Sequence, residues 1–86
     1  MAEYAITFAR SARRELESLD DPLLARVLAR IEGLAKEPRP PGSRKLRGGQ
    51  NLWRLRVGNY RIVYGIDDRR RVVDIVTIRH RREAYR

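Results

Sequence analysis

Residues Leu52 to Val57 read Leu-Trp-Arg-Leu-Arg-Val, and Tyr60 to Tyr64 read Tyr-Arg-Ile-Val-Tyr. Side chains of an extended strand repeat every two residues, so Arg54 and Arg56 share one face and Trp53, Leu55 and Val57 the other. The apolar trio belongs against a core, which turns the two arginines to solvent. Arg61 follows a turn at Gly58-Asn59. In one strand register it joins Arg54 and Arg56; a slip of one residue sends it to the opposite face. Arg79, Arg81 and Arg82 leave the last apolar run and can close one end of such a patch, while Lys45 and Arg47 can flank another.

Arginine suits phosphate because its planar fork binds bidentately and stays charged. No pair of carboxylates, metal-ligand cluster or Ser-His-Asp spacing accompanies these residues, and neither a metal nor a small-molecule cofactor is expected. Chemistry on RNA is still open without them. The substrate's own 2′-hydroxyl can attack, and the protein need then orient it, stabilise charge on the phosphate and move two protons. Arginines can do the stabilising, as fixed charge at a developing oxyanion. A tyrosine, or an arginine of depressed pKa, would handle the protons.

Tyr85 lies in the basic tail, where a frayed terminal residue and a functional one read alike. Tyr60 and Tyr64 share a strand face and are expected in the core, as is Trp53. His80 sits between Arg79 and Arg81, as a solvated side chain or as a proton carrier near neutral pH. No helix start follows Gly48-Gly49, so that pair is not read as a phosphate-cradling loop.

The elements that must position these residues follow from periodicity. Glu3 to Phe8 alternates as a short strand, and Ala9, Ala12, Leu16 and Leu19 fall on one helical face. Asp21-Pro22 marks a helix start, with Asp21 as cap. Leu24, Val27, Leu28, Ile31, Leu34 and Ala35 make an apolar stripe that Pro38 ends. Residues 38–51 read as a basic loop. Three β runs follow, Leu52–Val57, Tyr60–Ile66 and Val72–Arg79, joined at Gly58-Asn59 and at Asp67-Asp68-Arg69. The order β-α-α-β-β-β predicts an α+β domain, a helical hairpin packed on a mostly antiparallel four-stranded sheet, spanning residues 1–86 as one unit.

Composition narrows the function classes. At 86 residues the chain has no room for a cofactor domain or a repeat array. With 42% hydrophobic residues it is no disordered basic tail. It holds no cysteine and one histidine, which excludes disulfide frameworks, thiolate zinc sites and cysteine nucleophiles and fits a reducing, cytoplasmic compartment. No apolar run approaches a membrane span, and no signal peptide is expected from the first residues. The net charge is +9. Residues 1–43 balance seven basic against seven acidic side chains, whereas residues 44–86 hold 13 basic and four acidic ones. A neutral half beside a basic half reads as a scaffold carrying a polyanion-binding surface, or else as a solvated arginine-rich sheet face.

The runs Lys45-Leu46-Arg47-Gly48, Trp53-Arg54-Leu55-Arg56 and Gly58-Asn59-Tyr60-Arg61-Ile62-Val63-Tyr64, with the ending His80-Arg81-Arg82-Glu83-Ala84-Tyr85, resemble the RelE/ParE superfamily of bacterial toxins, RelE-like branch. The resemblance covers nearly the whole chain and includes the β-α-α-β-β-β order. It implies an mRNA interferase that enters the A site of the bacterial ribosome and cuts the bound codon without a metal. By position, Arg61 would stabilise the charged phosphate. Arg81 would act as general acid or second phosphate clamp, and Tyr85 as general base or stacking partner. Arg54 and Arg56 fall where the family often has lysines that hold substrate. Lys45 and Arg47 would touch ribosomal RNA, with Arg79 and Arg82 as further RNA contacts. The resemblance also implies a cognate, RelB-like antitoxin whose extended segment and helix wrap the toxin. Arginine in place of lysine at 54 and 56 excludes a role that needs a neutral amine. Two other readings stand beside the interferase: a ParE-like inhibitor of DNA gyrase on the same scaffold, and a non-catalytic basic RNA-binding module.

Overall fold

Helical stripes in the first half and strand alternation in the second assemble into two layers. The structure, a computed structural model, describes residues 3–48 and 51–80. In chain order the elements are β1 (Ala5–Phe8), α1 (Arg10–Glu17), α2 (Asp21–Lys36), β2 (Arg44–Lys45), β3 (Leu52–Val57), β4 (Tyr60–Asp67) and β5 (Val72–His80). The strands lie side by side as β1-β5-β4-β3-β2. The first strand pairs in parallel with the last, and the other neighbours are antiparallel. This is the α+β arrangement that the pattern predicts, with a fifth strand added to the four expected. β2 falls inside the stretch that composition assigns to a loop, and two residues are too few to show alternation. Its evidence is tertiary: Arg44 pairs with Arg54, and Lys45 with Trp53.

Helix α2 starts one residue earlier than the sequence suggests. Asp20 is the cap: its backbone is extended (φ −71°, ψ 163°), and its carboxylate accepts the Leu23 N–H at 3.2 Å. Asp21 is already helical and adds negative charge at the positive end of the helix dipole. At the other end Glu37 turns to extended backbone, as a residue before proline must.

The core lies between the helices and one face of the sheet. Ala12, Leu16 and Leu19 from the first helix and its connection, and Val27, Ile31 and Leu34 from α2, pack with Leu55, Val57, Ile62, Tyr64, Ile66, Val73, Ile75 and Ile78. Tyr64 is fully buried as expected, and its hydroxyl donates to the Pro38 carbonyl at 2.8 Å. Burial raises its pKa above the ordinary tyrosine value. Trp53 and Tyr60 pack against the margin of the same cluster.

Two irregularities decide which side chains face which way. β5 carries a bulge: Val63 pairs with Thr77 but Tyr64 with Ile75, so Val76 is an extra residue. Strict alternation from Val73 and Ile75 would put Thr77 and Arg79 on the core face. The bulge instead buries Ile78 and returns Arg79 to the opposite face. The chain between α2 and β2 is strapped down by Arg39. Its guanidinium lies over the Trp53 ring, 5.1 Å from the centroid, and donates to both oxygens of Asp68, the shorter bond being 2.9 Å. The Tyr4 hydroxyl donates to the same carboxylate at 2.6 Å.

Candidate nucleic-acid interface

The register that sequence left open is settled by the β3–β4 hairpin. Gly58 sits at φ 59°, the left-handed region that a side chain resists, and turns the chain in two residues. With that turn, Val57 pairs with Tyr60, Arg56 with Arg61, Leu55 with Ile62 and Arg54 with Val63. Directly opposed residues share a face, so Arg54, Arg56 and Arg61 all stand on the side away from the helices. On the far side of β4, Arg61 pairs with Arg79. A row Arg56–Arg61–Arg79 therefore crosses three adjacent strands. Directly opposed Cβ atoms in such a sheet lie about 5 Å apart, and like charges so placed repel.

Arg79 differs from its neighbours. Its Nε donates to Glu15 Oε2 on α1 at 2.9 Å, so this guanidinium is already paired with a carboxylate.

The flanking residues divide. Lys45 is in register with Trp53 and thus lies across the sheet from Arg54. Arg44, which the motifs do not include, is in register with Arg54 and extends the cationic face to β2. Arg47 is exposed in the turn that follows. Two further arginines are hidden in the sequence because they look like solvated helix positions. Arg26 and Arg30, one turn apart on α2, line a shallow cleft of about 400 Å³ with Arg56, Val57 and Gly58. A Cβ on Gly58 would stand 3.5 Å from an Arg26 Nη. The charge therefore continues from the open sheet face around the β3–β4 turn onto α2. An i, i+4 spacing of arginines whose outer neighbours are Ala29 and Gly33 was the available signal.

His80 pairs with Tyr60, on the other face from Arg61, and meets its ring edge-on with centroids 5.3 Å apart. That position does not bring it to the arginine row. Arg81, Arg82 and Tyr85 lie outside the described residues. Among the described residues, no group of three or more His, Cys, Asp and Glu side chains is placed to hold a metal ion, and no helix is long and apolar enough to cross a membrane.

The arrangement is a fixed cationic strip on a rigid sheet. Such a strip can bind a phosphodiester backbone and concentrate charge at one phosphate through Arg56 and Arg61. Together, the β-α-α-β-β-β-β order and this strip define a small toxin of a known class. Residues 6–85 match the family described as ParE toxin of type II toxin–antitoxin system, parDE, and the chain belongs to the RelE/ParE superfamily of such toxins. Among its relatives, Toxin RelG of Mycobacterium tuberculosis is 36% identical over 84 residues, 96% of this chain and 97% of that one. Toxin RelE of the same organism is 31% identical, over 96% of this chain and 87% of that one. The toxin in the complex RelBE2 from Mycobacterium tuberculosis superposes with a TM-score of 0.80 at 33% identity, over 92% of this chain and 99% of that one. The archaeal RelE–RelB complex from Pyrococcus horikoshii matches with a TM-score of 0.82 at 27% identity, over 92% and 96%.

Proposed function

We propose that this toxin is a ribosome-dependent endoribonuclease that cuts mRNA in the A site and so stops translation. The observation that carries the proposal is the register pairing of Arg56 with Arg61 on the open face, beside Arg54 and Arg44. The similarity to toxins named RelE and RelG favours the same reading.

In the proposed reaction the 2′-hydroxyl oxygen attacks the adjacent phosphorus in line. The new O2′–P bond forms as the P–O5′ bond breaks, leaving a 2′,3′-cyclic phosphate and a 5′-hydroxyl. One proton leaves the 2′-oxygen and one is delivered to the 5′-oxygen. Arg61 stabilises the extra negative charge on the phosphate oxygens as bonding to phosphorus expands. Arg54 and Arg56 hold the neighbouring backbone, and Lys45 and Arg47 reach structured RNA from the strand and turn beside β3. By resemblance the protons fall to Tyr85 as base and Arg81 as acid, with Arg82 as a further RNA contact. The partner in the cell is a cognate antitoxin: the similar toxins from Mycobacterium tuberculosis and Pyrococcus horikoshii were each solved in such a complex.

The test is a primer-extension map of mRNA on programmed ribosomes, with free mRNA as control. New 5′ ends at the A-site codon are expected only with ribosomes. Arg61→Ala should keep the fold, by circular dichroism, and lose about 10²-fold or more in cleavage rate. Wild-type cleavage by that variant would remove Arg61 from the centre. A second reading has its own support, since the matching family carries the ParE description. Folded protein that leaves ribosome-bound mRNA intact but blocks supercoiling by DNA gyrase would establish that reading instead.

A further inference from the structure

Glu15 does two things that neither the arginine row nor the core explains. β1 ends at Phe8, and its last contact with the sheet is the Ala9 N–H donating to the Ile75 carbonyl at 2.8 Å. Past that point the outer edge of β5 has lost its strand partner. Glu15 takes over from α1: Oε1 accepts the Ile78 N–H at 2.9 Å, and Oε2 accepts the Arg79 Nε–H at 2.9 Å. Both are charge-assisted bonds of full strength by distance. The Glu15 side chain is 24% exposed and that of Arg79 48%, so the pair is partly withdrawn from water, and screening weakens it less than a surface pair.

The consequence lies in the row. By register, Arg79 stands directly opposite Arg61 and would be the third cation offered to a phosphate. Its Nε is held instead by a carboxylate at the sheet margin.

We infer that Glu15 is a positioning residue: its carboxylate finishes the edge of β5 at Ile78 and holds the Arg79 guanidinium off the row, so that a nucleic-acid strand meets Arg56 and Arg61 without Arg79. This rests on the proposed RNA-binding role of that face. Among the described residues it ends the row at Arg61 on the β5 side.

The variants separate the two tasks. In Glu15→Gln one oxygen still accepts from Ile78, but the amide no longer neutralises Arg79. Protection of the Ile78 amide from hydrogen exchange should survive, and Arg79 should be freed. In Glu15→Ala both are lost. The probe is a single-stranded oligouridylate, with binding measured against salt. The log–log slope should steepen in Glu15→Gln by about 0.7, the increment for one more phosphate contact on a single strand. The added slope should vanish in Glu15→Gln/Arg79→Ala. An unchanged slope in Glu15→Gln, or a gain that persists in the double variant, overturns the inference.

A second measurement needs no variant. In the wild type, the Arg79 Nε–H resonance should keep its position when oligouridylate is added, while Arg56 and Arg61 side-chain resonances move. Movement of Arg79 with the others overturns the inference. Both readouts follow binding rather than cutting. A toxin that proves to act on gyrase therefore fails the primer-extension test, while the two binding measurements still decide the role of Glu15.

Discussion

At the scale of single residues, the molecule sorts its cations by what each carboxylate already holds. Arg39 is bound to Asp68 and Arg79 to Glu15, and Arg56 and Arg61 stand opposite each other on adjacent strands. The Asp68 cluster makes a prediction about acid stability. The Arg39 guanidinium and then the Tyr4 hydroxyl hold the Asp68 carboxyl below its ordinary pKa. A group whose pKa is lower folded than unfolded adds stability above its unfolded pKa, and that stability is lost as pH falls through the folded value. Denaturant titrations across about pH 5 to 2 should show the wild type losing more stability than Asp68→Asn. Equal losses would mean that the clamp contributes nothing to the fold. The site arginines need another test, since their part is in binding and chemistry, and Arg61→Ala on the ribosome supplies it.

At the scale of elements, the β3–β4 hairpin does the aligning. Its register follows from turn length, and turn length follows from a glycine able to sit at φ 59°. A Cβ there would meet the Arg26 guanidinium at 3.5 Å, an ordinary contact, so the cost of a side chain is in the backbone. Gly58→Ala should lower stability by about 1 kcal/mol, which in a domain of this size shifts the melting temperature down by roughly 4–8 °C. A melt within a degree of wild type would show that another turn conformation serves as well. The start of α2 gives a comparable case: Asp20→Ala removes the carboxylate that caps Leu23 and should cost about 1 kcal/mol by the same measurement. An unchanged melt would show that water caps the helix equally well.

At the scale of the whole molecule, the charge of +9 is placed and not spread. The open sheet face holds Arg44, Arg54, Arg56 and Arg61, and the cleft beside Gly58 leads on to Arg26 and Arg30. A backbone following this track should bind with a strongly salt-dependent affinity, its log–log slope falling by about 0.7 for each arginine lost from it. Titrations of Arg56→Ala and of Arg26→Ala/Arg30→Ala against oligouridylate check this separately for the sheet and for the helix. A slope that drops for the first and not the second would confine the strand to the sheet.

What the sequence determined by itself was every element whose pattern runs for several residues. The α2 stripe, the Trp53-Leu55-Val57 alternation and the Gly58-Asn59 turn are each local, and each appears where the pattern predicts. So does the placement of Arg54 and Arg56 on the face away from the core, because their strand neighbours are too apolar to face water; Arg56 is exposed there and Arg54 half-buried. Tertiary structure decided the rest, where side-chain direction depends on a partner strand. Arg61 joined the patch only when pairing fixed its register. Arg79 reached the same face through an unpaired residue at Val76, which no run of apolar letters announces, since Val72 to Ile78 is apolar at most positions. Arg44 gained its place, and Lys45 the opposite one, from a two-residue strand that exists because β3 is beside it. The bond from Glu15 to Arg79 joins residues 64 positions apart. Periodicity reports what a segment buries; which charges stand together is set by how the segments pair.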